Sequence, residues 1–253
     1  MTMDALELLI DLHQPNPRQG PGGDAQTELA LHLTGLDPAA PLTVADIGCG
    51  TGAATLALAR LLPRAQITAV DFLAPFLAKL QQRGEAAGVA DRVVPLQASM
   101  SELPFADAQF DLLWSEGAIY NMGFEKGVKS WRRFLKPGGV LVASELTWTT
   151  STRPPELQAF WDTAYPEVAT AADKMAVLER HGYSPLGYFV LPETCWRDAY
   201  YRPLQAAFAD FLKRHGHSEA ATAVVAEHEQ EIALYDTHAA HYSYGVYVAQ
   251  RVD

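Results

Sequence analysis

An open, mainly parallel α/β sheet covered by helices on both faces is the fold class this sequence predicts, and three observations carry it. Five short apolar runs rich in β-branched residues, TVADIG, QITAVD, RVVPLQAS, FDLLWSEG and VLVASEL, follow one another along the chain. Stretches with apolar residues at helical spacing, such as ATLALARLL and PFLAKLQQRGEAAG, lie between them. Such alternation builds a parallel sheet whose crossover helices bury both faces. The third observation is size: 253 residues, 49% hydrophobic and 19% charged, suit one large core better than a string of modules or a disordered chain.

Taken in order, residues from Asp4 to about Gln14 place leucines and Ile10 on one helical face, and PNPRQGPGG breaks that helix. Asp24 is placed to cap a second helix running through His32. The strand and helix alternation follows, with a helix around GVKSWRRFL and a turn at KPGG before VLVASEL. After Trp148 the pattern changes. PPELQAFWDTAYPE and DKMAVLERHG read as helices, YFVL near residues 188–191 as a strand, residues 197–214 and 219–241 as helices, and the alternating YGVYVAQRV as a strand. No repeat or linker interrupts the chain, so residues 1–253 read as a single domain. Residues 1–40 supply N-terminal helices and a loop, 41–148 a ligand-binding core, and 149–253 cap helices and final strands.

The net charge of −11 would repel a phosphate backbone, which excludes nucleic acid as the expected partner. Two cysteines, Cys49 and Cys195, are too few for a secreted disulfide framework. The start MTMDALELL lacks the basic flank of an export signal, and no run of about 18 apolar residues is present, so a cytoplasmic protein without a membrane partner is expected. Eight histidines include His215, His217, His238 and His241, but none has the Cys, Asp or Glu companions of a metal set, and no metal is expected. Cys49 has no neighbouring base to make it a nucleophile. Lys126, Lys129, Arg132, Arg133 and Lys136 read as a solvated helix face.

Chemistry concentrates at VADIGCGTGAA. Asp46 ends an apolar strand, and Gly48, Gly50 and Gly52 precede a helix, a turn that lets a ligand lie against the backbone. The same glycines satisfy a dinucleotide fingerprint, so the pattern alone leaves an NAD-dependent dehydrogenase open. Asp46 discriminates: a carboxylate beside the loop opposes a pyrophosphate and suits a ligand with an ammonium and a sulfonium, as in S-adenosylmethionine. Asp71 ends the next strand 25 residues on, where a carboxylate can accept both hydroxyls of a ribose. Ser99 and Ser115 stand where the third and fourth strands should end, so Asp46, Asp71, Ser99 and Ser115 converge on one crevice at the carboxyl edge of the sheet.

With DIGCGTG, AVDF, LPFADAQFDLLW and FLKPGGVLVASE in this order, residues 43 to 146 resemble the class I S-adenosylmethionine-dependent methyltransferases. RQGPG, WSEGAIYNMGFEKG and STRPPELQAFWDTAYP extend the likeness to a subgroup of bacterial methyltransferases with the WSEGAIYN motif. The resemblance implies a Rossmann-like seven-stranded sheet with helices on both faces, its last strand, YGVYVAQRV, antiparallel beside VLVASEL. It also implies S-adenosyl-L-methionine as cofactor, with the loop Gly48 to Gly52 on the methionine portion, Asp71 on the ribose, Phe72 and Met100 on the faces of adenine, and Ser99 on its edge. Ser99 departs from the commoner aspartate. Gln19 and Gly20, in a loop ahead of the core, are expected to fold over the ligand.

The implied reaction is in-line displacement of the sulfonium methyl, which asks chiefly for alignment and exclusion of water. If a base is used, Glu116 is the first candidate and Tyr120 the second. Trp161, Tyr165, Trp196, Tyr200 and Tyr201 suit either an apolar acceptor pocket or ordinary packing and the interface of a homodimer. A small-molecule acceptor is the expectation, and a cofactor-binding regulator without turnover is the remaining alternative.

Overall fold

The computed structural model describes residues 3–252. Two helices, α1 (Met3–His13) and α2 (Asp24–Leu33), lead into β1 (Thr43–Ile47), α3 (Ala53–Leu61), β2 (Gln66–Asp71), α4 (Ala74–Ala86), β3 (Val93–Gln97) and β4 (Phe110–Ser115). There follow α5 (Phe124–Trp131), β5 (Leu135–Trp148), α6 (Pro155–Ala164), the two-residue β6 (Ala169–Thr170), α7 (Ala171–Arg180) and β7 (Tyr183–Val190). The short α8 (Glu193–Trp196) continues through a π-helical stretch, Arg197–Tyr201, into α9 (Arg202–Arg214), and α10 (Glu219–His238) and β8 (Tyr242–Arg251) complete the order.

The strands lie in the order β3-β2-β1-β4-β5-β8-β7, with β6 beside β5. β1 to β5 are mutually parallel, and β8 runs antiparallel between β5 and β7, in register from Val140↔Gln250 to Trp148↔Tyr242. This is the Rossmann-like sheet expected, with YGVYVAQRV beside VLVASEL. Successive strand residues feed opposite cores, because side chains alternate across a sheet. Val44, Leu112, Trp114 and Val142 join one cluster with Leu58, Leu204 and Val224 of the helices, whereas Ala45, Leu113 and Ala143 join another with Val128 and Leu178.

Several elements differ from their sequence reading. Gly23, not Asp24, occupies the cap of α2, and it does so in extended backbone. Asp24 instead opens the helix, where its charge faces the positive end of the dipole and takes Arg60 at 2.5 Å. KPGG is not a separate turn but a bulge inside β5: Phe110 pairs with Leu135, and the next pairing is Leu112 with Val140. β7 begins at Tyr183, ahead of the apolar YFVL, because β8 offers partners to its more polar half. The stretch 149–241 is only in part a cap. α7 and β7 complete the sheet and its flank, while α9 and α10 pack on α1.

Candidate functional site

β1 delivers the chain into a loop where Gly48, Gly50 and Gly52 all have left-handed backbone, with φ of +79°, +57° and +90°. At Gly48 an added Cβ would lie 2.3 Å from that of Ala118, and at Gly52 one would lie 2.1 Å from Leu80 Cδ1. The N–H groups of Gly48 and Cys49 donate to the Val70 carbonyl at 2.8 and 2.9 Å, fixing the loop to the end of β2. One Asp71 oxygen accepts from Gly50 N–H at 2.8 Å and the other from Leu73 N–H at 2.9 Å. Burial raises the Asp71 carboxyl above its usual value, against the pull of these donors.

Asp46 is 1% exposed and accepts from the Thr55 hydroxyl at 2.5 Å. Burial pushes its carboxyl up to about 7; the Thr55 bond opposes the rise, and the nearby Glu116 and Asp71 carboxylates reinforce it. The Cys49 thiol is also buried and pushed well above its ordinary value, so it is no nucleophile at neutral pH.

The RQGPG loop is docked onto this floor. The Gln19 side-chain carbonyl accepts from Thr51 N–H at 2.8 Å and from the Thr51 hydroxyl at 3.0 Å, while its amide donates to the His13 carbonyl at 3.1 Å. Arg83 of α4 donates to the Asn16 and Pro17 carbonyls at 2.9 and 3.2 Å and to the Thr51 hydroxyl at 2.5 Å. Arg18 reaches across to Glu116 at 3.0 Å.

Two adjoining spaces result. The larger, about 770 Å³, has Gln19, Gly48, Gly50, Asp71, Phe72, Ser99, Met100 and Tyr120 among its lining residues. A narrow recess beyond the loop is bounded by Arg18, Gln19, Gly20, Asp46, Gly48, Gly50 and Glu116. Two residues expected in the crevice lie outside both. Gly52 permits close packing against Leu80, and the Ser115 hydroxyl donates to the Ile47 carbonyl at 2.9 Å, joining the ends of β1 and β4. Ser99 Oγ lies 2.8 Å from Ser101 Oγ, and Phe72 is 65% exposed at the rim.

Glu116 stands in the recess, and besides Arg18 it accepts from the Thr27 hydroxyl at 2.8 Å and the Trp114 indole at 3.0 Å. These donors occupy lone pairs on both Glu116 carboxylate oxygens. Tyr120 lines the large cavity, edge-on to Tyr165 with ring centroids 6.0 Å apart. Among the five cap aromatics only Tyr200 borders the cavity. Trp196 stacks on Tyr235 at 4.5 Å and donates to Ser243, Tyr201 donates to Glu231, and Trp161 packs on Tyr242. Lys126, read as part of a solvated face, borders the cavity too.

Sequence reasoning missed a further set of lining residues: Leu6, Leu9, Ile10 and His13 of α1, and His228 and Glu231 of α10. His228 and Glu231 are three residues apart and so share a helix face, but nothing local says which way that face points.

The donor set fits a nucleoside cofactor with an amino-acid end. An added Cβ at Gly48 would stand 3.5 Å from Met100 Cε, in ordinary contact, and one at Gly50 would stand 2.7 Å from the Gln19 side-chain oxygen, so the loop, Met100 and Gln19 lie around one cradle. The recess presents Arg18 with Asp46 and Glu116, opposite charges suited to a ligand bearing both ammonium and carboxylate. Asp71 leaves lone pairs for ribose hydroxyls. Among the described residues no group of three or more His, Cys, Asp and Glu side chains could hold a metal ion, and no helix is long and apolar enough to cross a membrane.

Residues 44–139 match the family described as "Methyltransferase domain". The chain is 31% identical over 185 residues to a demethylmenaquinone methyltransferase of Lactiplantibacillus plantarum, covering 72% of this chain and 73% of that protein. It is 37% identical over 99 residues to an uncharacterised protein of Synechococcus, covering 39% of this chain and 24% of the relative. Six other curated relatives are matched over 41% to 48% of their own length. Among solved structures, an S-adenosylmethionine-dependent methyltransferase of Geobacter sulfurreducens, crystallised with S-adenosyl-L-homocysteine, shares the fold with a TM-score of 0.83 at 20% identity, covering 99% of this chain and 98% of that one.

Proposed function

The chain belongs to the S-adenosylmethionine-dependent methyltransferases, and we propose that it transfers the methyl group to a small acceptor seated between the glycine loop and helices α1 and α10. The observation that carries this reading is a cavity of about 770 Å³ whose lining includes both Gly48, Gly50, Asp71 and Met100 of the candidate cofactor site and Leu9, Ile10, Tyr200 and Glu231 of the helices. Its size lies within the range of small-molecule sites.

S-adenosylmethionine, when bound, supplies a methyl on a sulfonium that departs as a neutral thioether. The chain's own residues do the rest. Gly48 and Gly50 let the backbone approach the methionine portion, with Asp46, Arg18 and Glu116 completing the recess at its amino-acid end. Asp71 accepts from the ribose, Phe72 and Met100 flank the base, and Ser99 offers its edge a hydroxyl. Gln19 and Arg83 hold the pre-core loop closed on the glycine turn, which excludes water and fixes alignment, the main demands of a displacement on an activated methyl. Glu116 acts as the anchor of that loop, and Tyr120 as a hydrogen-bond donor in the cavity.

The relatives' names span demethylmenaquinone and a malonyl acyl-carrier protein among their acceptors. The acceptor is therefore argued from this cavity, whose helical lining includes Leu6, Leu9 and Ile10 together with His13, His228 and Glu231. Such a lining suits a compact molecule with an apolar body and one polar, nucleophilic end. The test is isothermal calorimetry with S-adenosyl-L-homocysteine, followed by a screen of methyl-labelled cofactor against a metabolite extract. Binding with label transfer into a small product supports the reading; tight NAD binding without response to S-adenosyl-L-homocysteine would sink it, and binding without transfer to any extract would favour a regulator.

A further inference from the structure

We propose that His13, oriented by His228, takes the proton that a hydroxyl or amine acceptor loses as it is methylated. The proposal rests on the methyltransferase reading and names the part of the cavity that selects the acceptor's nucleophile.

The hydrogen-bond chain fixes both tautomers. His228 is buried, and its Nδ1 lies 2.7 Å from the Val224 carbonyl one turn earlier in α10. A carbonyl only accepts, so His228 carries a proton on Nδ1, and as a neutral ring it presents a bare Nε2. That Nε2 lies 2.9 Å from His13 Nε2. Two bare nitrogens would repel at this distance, so His13 donates from Nε2 and keeps the lone pair on Nδ1.

His13 Nδ1 is buried and, among the described residues, has no hydrogen-bond partner. An unsatisfied buried acceptor costs free energy, and such exceptions ask for a reason. Here the reason lies alongside it: His13, its stacking partner Tyr200 at 6.3 Å, His228 and Glu231 all border the cavity that holds the glycine loop. Burial holds the His13 imidazole down to about 4, so at neutral pH it is uncharged and its lone pair is available.

The step balances. The acceptor oxygen or nitrogen uses a lone pair to bond the methyl carbon, and the electron pair of the broken carbon–sulfur bond stays on sulfur. The acceptor proton passes to His13 Nδ1, and the resulting imidazolium donates through Nε2 to His228. Glu231, which accepts from the Tyr201 hydroxyl at 2.9 Å, lies on the same face of α10 and borders the cavity, and burial raises its carboxyl above the ordinary value. The acceptor class is therefore one whose nucleophile carries a removable proton, such as a phenol or an amine, rather than a tertiary amine or a thioether.

The test uses the whole chain, labelled with ¹⁵N-histidine and loaded with S-adenosyl-L-homocysteine, at about pH 5.5, where 4-nitrophenol keeps its proton and His13 stays neutral, and two probes that differ in a hydroxyl against a methoxy group, 4-nitrophenol and 4-nitroanisole. Imidazole ¹⁵N resonances should show His228 protonated at Nδ1 and His13 at Nε2, with the His13 Nδ1 signal moving when 4-nitrophenol binds. Calorimetry should show 4-nitrophenol binding about tenfold more tightly than 4-nitroanisole, the effect of one hydrogen bond. That preference should vanish in His13→Phe, and the resonances of the parent chain test the idea even where the variant folds poorly. A His13 proton on Nδ1, failure of 4-nitrophenol to bind or to move that signal, or equal affinities for the two probes would overturn the proposal alone. Failure to bind S-adenosyl-L-homocysteine would overturn the methyltransferase reading, and this proposal with it.

Discussion

Arg18 and Glu116 form a 3.0 Å ion pair with 10% and 16% of their side chains exposed, joining the pre-core loop to the residue after β4. Removing one partner from so enclosed a pair leaves the other charge without compensation, and the loss exceeds what the pair itself contributes. Arg18→Met should therefore lower unfolding free energy by about 3 kcal/mol in urea titrations. Glu116→Gln, which keeps an acceptor for the Trp114 indole but leaves Arg18 without its counter-charge, should cost a similar amount and leave the pH profile of turnover unmoved. A changed profile would restore Glu116 as a base.

Asp71 serves the backbone and the ligand at once. Asp71→Ala should weaken S-adenosyl-L-homocysteine by at least about tenfold, the effect of one hydrogen bond to a charged group, and should loosen the turn at Gly50. Calorimetry checks the affinity. Equal binding by the variant would remove Asp71 from the ribose.

Asp46 makes stability fall with rising pH. Its folded carboxyl sits at about 7 against an ordinary 3.8, so the native state holds the proton more tightly than the unfolded chain. The stabilisation is complete below 3.8 and is lost as pH rises through about 7. His13 acts in the opposite sense. Its folded value of about 4 against 6.5 gives stability that is whole above 6.5 and lost as pH falls toward 4. Comparing Asp46→Asn with the parent cancels the histidine. Between pH 4 and 8 the variant's advantage should grow to a few kcal/mol, and parallel melting curves at every pH would refute the shift.

Glycine positions separate strain from collision. Gly35 has φ of +67° and open space around it, whereas Gly48 has φ of +79° and the Ala118 methyl in the way. Gly35→Ala should cost about 1 kcal/mol, the ordinary left-handed penalty. Gly48→Ala should cost roughly twice that or more and abolish cofactor binding. Equal losses in thermal unfolding would mean that the contact relaxes freely.

What the sequence disclosed follows from range. The alternating strands, Asp46, the glycine turn and Asp71 are local patterns whose geometry is set within a few residues, and the sheet places their ends together by topology alone. Gln19 and Arg18 were visible as a motif, but their partners Thr51 and Glu116 lie 32 and 98 residues away. His13 and His228 are separated by 215 residues, and no periodicity in α1 or α10 announces that these helices meet over the crevice. Asp24 misled because a capping residue and a first-turn acid look alike in sequence, and the backbone turn at Gly23 decides between them.

The position of β8 orders events during synthesis. Among the described residues β7 has no sheet neighbour other than β8, and β8 is also the strand that covers the free side of β5. Residues 183–190 therefore leave the ribosome with nothing to pair with until residues 242–251 follow, a delay of roughly 3 to 10 s at ~5–20 residues per second. For that interval two strand edges stand open, and α8 to α10 are made while the sheet they rest on is unfinished. The nascent chain is most vulnerable to edge-to-edge association in this window, so chaperone demand should peak there rather than while the glycine-loop half is emerging.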